Sequence, residues 1–206
     1  MILAIDTSTG ACSVALFGAD GKLLSEAHEL IGRGHAEKLV PMIERVLDHH
    51  VPSQILVGVG PGSFTGIRVG IAAAQGMAIG WNVPVHGLSS LALIAASACD
   101  LEHGDGKVAA VMNGGHGELF VQTFASPSLK PIGEHQSLAP ALAARTIDAP
   151  LILGPAAETL VEERRTGQAS ICHPRAANAL LLPKALRSLP VRPLYGRAPD
   201  AKPKAA

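Results

Sequence analysis

Aromatic residues are scarce: one Trp, one Tyr and four Phe make up 3% of the 206 residues. A surface that stacks bases needs several aromatic faces, so that mode of nucleic-acid binding is excluded. Excess charge is lacking too. Seventeen basic residues meet seventeen acidic ones. That leaves no overall field to gather RNA or an anionic membrane. The three cysteines, Cys12, Cys99 and Cys172, form no C-x-x-C pair. A disulfide framework and a zinc knuckle are thereby excluded, and a reducing compartment fits best. The apolar stretch around Ile71–Ile79 is broken by Gln75, Gly76 and Gly80, which makes it too short to span a bilayer. The opening MILAIDTS has no basic segment ahead of an apolar one, so no signal peptide is expected. A soluble cytoplasmic protein is the expectation.

What is present is 48% apolar and 17% charged, enough for a sizeable core. Short apolar runs at Ile2–Ile5, Cys12–Gly18 and Lys22–Leu30 predict a β-meander, with Asp20-Gly21 as its hairpin turn. Leu39, Met42, Ile43, Val46 and Leu47 recur at helical spacing, with Pro41 in the first turn or at a kink. QILVGVG then reads as a buried strand, GIRVGIAAAQGMAIGW as a helix of small residues, and PVHGLSSLALIAASA as a strand and helix. Composition shifts at CDLEHGDGK, which predicts a lobe over residues 1–102, a second over 103–195 and a flexible tail over 196–206. The second lobe opens with a hairpin, KVAAVMN and ELFVQTF, and continues with two weaker strand-then-helix units. Each half begins as a meander and proceeds to α/β units, so the chain is α/β but not a doubly wound nucleotide fold.

The glycine-rich stretch GVGPGSFTGIRVG satisfies neither standard phosphate motif. A P-loop needs Gly-Lys-Ser/Thr, and here Ile67 follows Gly66; the G-x-G-x-x-G spacing fails as well. What remains is a helix start with Ser63 and Thr65 as caps. Its free N–H groups could hold an anion, or its glycines could allow a sharp turn and close helix packing. Packing is the favoured reading. Asp6 at the end of the first strand, with Thr7, Ser8 and Thr9, has the outline of a metal–phosphate turn. The bland alternative is a β-turn in which Asp6 caps its own backbone. None of the nine histidines forms H-E-x-x-H or H-x-x-x-H, so no metal site is assigned. No G-x-S-x-G elbow occurs, and Ser89-Ser90 has no visible base, so no catalytic residue is assigned. The apolar stripe Leu39, Met42, Ile43 and Val46 reads equally as core or as a partner surface.

The segments ILAIDTSTGACSVAL, GHAEKLVPMIERVL, GVGPGSFTGIRVGIAAAQGMA, PVHGLSSLALIA and PLYGRAPDAKP together resemble the TsaB (formerly YeaZ) family. GPGSFTG followed by Ile67-Arg68 is the most specific of them. The resemblance is dense over residues 2–98, thins beyond, and returns at Pro193–Pro203. It implies the fold shared by actin, Hsp70 and sugar kinases (ASKHA), with two RNase H-like lobes, the second reduced. It also implies a non-catalytic subunit for threonylcarbamoyladenosine modification of tRNA, binding and organising the TsaD transferase together with TsaE. In that reading tRNA is met only through the complex, and a homodimer forms when TsaD is absent. The family's pairing helices match residues 36–49 and 66–80, which nominates Leu39, Met42, Ile43, Val46, Val69, Ala73 and Met77. No tightly bound cofactor is implied; ATP or ADP would enter only in the complex. The paralogue TsaD holds a metal with H-x-x-x-H, and Ser90 and Ile94 occupy those places here. Many family members read Asp-Ala-Arg at the second-lobe hairpin, where this chain has Asn113, Gly114 and Gly115. The rival functions are an ATP-dependent phosphotransferase using Asp6 and a metallopeptidase.

Overall fold

The apolar runs at the start fold as β1 (Ile2–Asp6), β2 (Ala11–Phe17) and β3 (Leu23–Leu30) in the computed structural model, which describes residues 1–101 and 106–194. The expected boundary at 102/103 and the tail 196–206 lie outside those residues. The β2–β3 hairpin closes where Asp20-Gly21 predicts it. Gly21 takes φ 79°, and the Gly18 N–H donates to the Lys22 carbonyl at 2.8 Å. Helix α1 (His35–Leu47) starts from Gly34, and Pro41 lies inside it rather than in the first turn. Strand β4 (Gln54–Gly60) leads through the glycine turn into α2 (Phe64–Trp81). There the Ser63 hydroxyl accepts from the Gly66 N–H, and Asn82 ends the helix in the left-handed region at φ 55°. Strand β5 (Val85–Ser89) and helix α3 (Ser90–Ala96) complete the first half.

The second half repeats the plan. Strands β6 (Gly106–Asn113), β7 (Leu119–Ser126) and β8 (Lys130–Leu138) form a meander. After it come α4 (Pro140–Thr146), β9 (Leu151–Leu153), α5 (Ala157–Arg164) and β10 (Gln168–Ser170). The first sheet runs β3-β2-β1-β4-β5 and the second β8-β7-β6-β9-β10. In both, the meander strands are antiparallel and the last two join in parallel. This is the two-lobed actin-like fold, each lobe an RNase H-like unit, with short helices in the second. β8 and α4 lie where no separate element was expected. The final strand-then-helix unit ends in a 3₁₀ turn (Ala176–Leu181) instead of an α-helix.

Helix α3 is the keel between the lobes. All seven of its residues are buried, and their cluster takes in Ala4 and Leu56 of the first sheet with Val108, Ala110 and Phe124 of the second. The chain then returns. The Ala176 N–H donates to Ser13 Oγ (2.8 Å), Leu189 exchanges backbone hydrogen bonds with Gly87 (2.8 and 2.9 Å), and the Leu194 N–H donates to the Val59 carbonyl (2.7 Å). Residues 176–194, expected within the second lobe, thus form a strap across the first sheet and along its β5 edge.

Candidate functional site

The β1–β2 turn meets the glycine-rich turn before α2, and the two are in closer contact than most side chains would allow. A Cβ placed on Gly58 would overlap the Asp6 carboxylate, one on Gly62 the Ser8 carbonyl, and one on Gly66 the Thr7 carbonyl. At Gly70 it would lie 2.5 Å from Thr7 Oγ1. These glycines make room for the chain's own turn. The Thr7 hydroxyl donates to the Gly66 carbonyl at 2.7 Å, and the Ser63 N–H donates to the Ser8 carbonyl at 2.7 Å.

Asp6 is 1% exposed, and both its oxygens are occupied. Oδ1 accepts from the Ser8 N–H (2.9 Å) and Ser8 Oγ (2.7 Å), and Oδ2 accepts from Ser90 Oγ (2.7 Å). Burial pushes the carboxyl above the usual carboxylate range, against the pull of the hydrogen bonds from Ser90 and Ser8. Thr7 and Ser8 are equally buried, and only Thr9 is half-exposed. The phosphate contact expected from Asp6, Thr7, Ser8 and Thr9 therefore finds no open face at its first three members. Thr9 Oγ1 accepts from the Ala11 N–H (3.2 Å) and lies 3.3 Å from His173 Nδ1.

Beside Thr9 opens a cleft of about 630 Å³, lined by Glu26, His28, Ser97, Cys172, His173 and Arg175. The Arg175 guanidinium places two of its nitrogens on the Glu26 carboxylate. Burial holds His173 below the ordinary imidazole value. Among the described residues no group of three or more His, Cys, Asp or Glu could hold a metal ion. The donors of the turn are spent on one another, so they do not fit a metal–phosphate group, and no step of chemistry is derived through one.

The second candidate is a surface, and here the structure corrects the expectation. Leu39, Met42, Ile43 and Val46, expected at a partner interface, are at most 3% exposed. They pack on Leu3, Ile5, Val14 and Leu16 of the first sheet. A helix lying on a sheet spends its apolar stripe on that sheet, and periodicity cannot tell one burier from another. Val69, Ala73 and Met77 are half-buried against the same core. Facing solvent instead are Val40 (59%), Phe64 (57%) and Ile79 (84%), together with Ala72, Gly76 and Gly80. Arg68 lies over the Phe64 ring, 3.4 Å from its centroid.

Residues 27–176 match the family model described as TsaD: tRNA N6-adenosine threonylcarbamoyltransferase. The structure superposes on YeaZ from Pseudomonas aeruginosa with a TM-score of 0.79 and 30% identity, covering 94% of this chain and 98% of that one. The chain belongs to the TsaB (YeaZ) family. The tRNA threonylcarbamoyladenosine biosynthesis protein TsaB of Escherichia coli is 42% identical over 125 residues, 58% of this chain and 52% of its own length. That of Haemophilus influenzae is 41% identical over 115 residues, 53% and 48% respectively. The chain thus spans about half the length of these curated TsaB relatives. Against the TsaD pattern, both places of the metal-binding pair are put to structural use. Ser90 gives its hydroxyl to Asp6, and Ile94 is fully buried in the keel. The sequence identified the turn and the two replaced positions. It did not reveal that Ser90 closes the Asp6 network, a contact across 84 positions. Among the described residues no helix is long and apolar enough to cross a membrane.

Proposed function

We propose that this protein is a non-catalytic partner subunit in the synthesis of threonylcarbamoyladenosine in tRNA, binding and organising a TsaD transferase with TsaE joining the complex. The biosynthetic role by which the TsaB relatives are named supports the pathway. The spent donors around Asp6 support a role without chemistry of its own.

One observation carries the partner reading: glycines in α2 that nothing among the described residues requires. A Cβ on Gly76 or Gly80 would meet no atom within 4 Å. A glycine inside a helix costs about 1 kcal/mol relative to alanine. Internal packing gives no return for that cost here, whereas the close approach of a partner helix does. The docking face is then Ala72, Gly76 and Ile79, with Val40 and Phe64 beside them and Val69, Ala73 and Met77 at its margin. A second copy of the chain would use the same face when TsaD is absent.

Light scattering of the protein alone and mixed with its cognate TsaD tests this. A one-to-one complex is expected, and Gly76→Arg should abolish it while leaving the melting temperature of the isolated chain unchanged or raised. An isolated chain that ignores TsaD and turns over ATP, with Asp6→Ala abolishing the turnover, would overturn the reading in favour of a phosphotransferase.

A further inference from the structure

The formal neutrality of the chain conceals a strong polarity. Nine of the 17 basic residues follow Glu163, against a single acid there, Asp200. A second stretch, from His49 to Cys99, contains no acidic residue at all. The fold brings these two acid-poor stretches together. The strap is joined to β5 by the paired hydrogen bonds between Leu189 and Gly87, and to β4 by that from Leu194 to Val59. On it stand Lys184 and Arg192, in contact with solvent, and Arg187, half-exposed. No acidic residue occurs on β4 or β5, the strands along which residues 184–194 lie; β3, which carries Glu26 and Glu29, packs instead on the 3₁₀ turn at the start of the strap.

Four cations elsewhere have carboxylates: Lys22 with Asp20, Arg45 with Glu29, Lys107 with Asp148, and Arg175 with Glu26. Among the described residues none of these ion pairs involves Lys184, Arg187 or Arg192. The Arg187 Nε–H donates to the Leu182 carbonyl at 3.0 Å instead.

We propose that the strap, through Lys184, Arg187 and Arg192, is a contact surface for the phosphate backbone of RNA. Three cations on a backbone fixed along a sheet edge, with no acidic residue on the two strands it runs against, present positive charge at low ordering cost. Binding to a polyanion releases its condensed counterions, which supplies affinity without base reading. The scarcity of aromatics bears on stacking and leaves this mode open. The strap would add non-specific backbone contacts while the partner supplies the chemistry. The inference rests on the tRNA-modification reading above and goes beyond it, because it has this chain touch the tRNA itself.

The test is fluorescence anisotropy of an unmodified tRNA transcript, titrated with the full chain alone and with its TsaD complex over a series of salt concentrations. Complex formation is measured separately by light scattering. Reversing the three strap cations (K184E, R187E, R192E) should weaken tRNA binding at least tenfold. It should also reduce the slope of log affinity against log salt by about 2–3, roughly 0.7–0.9 for each phosphate no longer engaged. TsaD binding should be unaffected. The control K22E, K130E, R145E, with the same change in net charge, should retain most of the affinity.

Equal weakening in both triple variants would overturn the proposal, leaving only a net-charge effect, as would no measurable binding at low salt. Unchanged tRNA binding with failure of the TsaD complex would make the strap a protein surface and also overturn it. If the wild-type chain fails to bind TsaD, the subunit reading falls by itself, while the anisotropy of the chain alone still decides the strap. A parallel titration with the single substitution Arg192→Glu covers the case in which the triple variant does not fold. A twofold or greater weakening with a lower salt slope is expected, and no change would overturn the proposal.

Discussion

A carboxylate shut away from water must be hydrogen-bonded or neutral, and Asp6 is held between those outcomes. Three donors, the Ser8 N–H and the hydroxyls of Ser8 and Ser90, converge on it. Removing their acceptor by Asp6→Ala leaves buried donors unpaired and should lower stability by about 2–3 kcal/mol in a denaturant titration. The pH dependence has a definite sign. Burial raises the folded carboxyl above its ordinary value of 3.8, so the folded state holds the proton more tightly than the unfolded one. Stability from this group grows as pH falls through the folded value, is fully present below about 3.8, and is lost as pH rises. Measured against Asp6→Asn, which cannot titrate there, the wild type should therefore gain on acidification from neutrality, and a difference that stays flat would show a carboxyl with no shift. The Asp6–Ser8 half of this network was legible in the sequence, because an acid two residues before a serine is a local turn pattern. The Ser90 half was not, since a hydrogen bond across 84 positions leaves no mark in local spacing.

At the scale of one helix, α2 separates two uses of glycine that look identical in a string of letters. Gly66 faces inward, where an added methyl would overlap the Thr7 carbonyl, and a backbone atom cannot yield as a flexible side chain can. Gly66→Ala should cost about 1–3 kcal/mol. Gly76 faces outward into open space, and Gly76→Ala should raise stability by about 1 kcal/mol. Paired denaturation curves read both signs in one experiment, and equal destabilisation would mean that the outward face is packed. Helix α1 shows the complementary limit of periodicity. The spacing of Leu39, Met42, Ile43 and Val46 correctly marks a face that is removed from water, but the burying surface is the chain's own sheet. An exposed Val40 or Ile79 breaks no pattern, because a docking face of small and scattered apolar residues has almost no period to detect. The β8 strand escaped for a related reason. All of its residues are at least partly exposed, so it lacks the buried alternation by which a strand is recognised.

For the whole molecule, the repeated meander made two lobes legible, while their coupling depends on contacts far apart in sequence. Two RNase H-like units joined by a linker would unfold separately. Here α3 belongs to both cores, packing on Leu56 beneath one sheet and Phe124 within the other. The returning chain adds the Arg175–Glu26 pair and the hydrogen bond from Asn178 Nδ2 to the Leu93 carbonyl (3.4 Å). A lobe that opened alone would expose half of the keel to water, at about 25 cal/mol for each Å² of apolar surface. The expected outcome is a single cooperative transition, with the fluorescence of Trp81 in the first lobe coinciding with the far-UV circular dichroism of both. Ile94→Ala, which hollows the keel, should cost about 2–5 kcal/mol and move both signals together. If the Trp81 signal and the circular dichroism separate in that variant, the lobes are independent. The keel would then be packing for the first lobe alone. Coincidence would mean that Ile94 and the helix that carries it are part of what makes two lobes one folding unit.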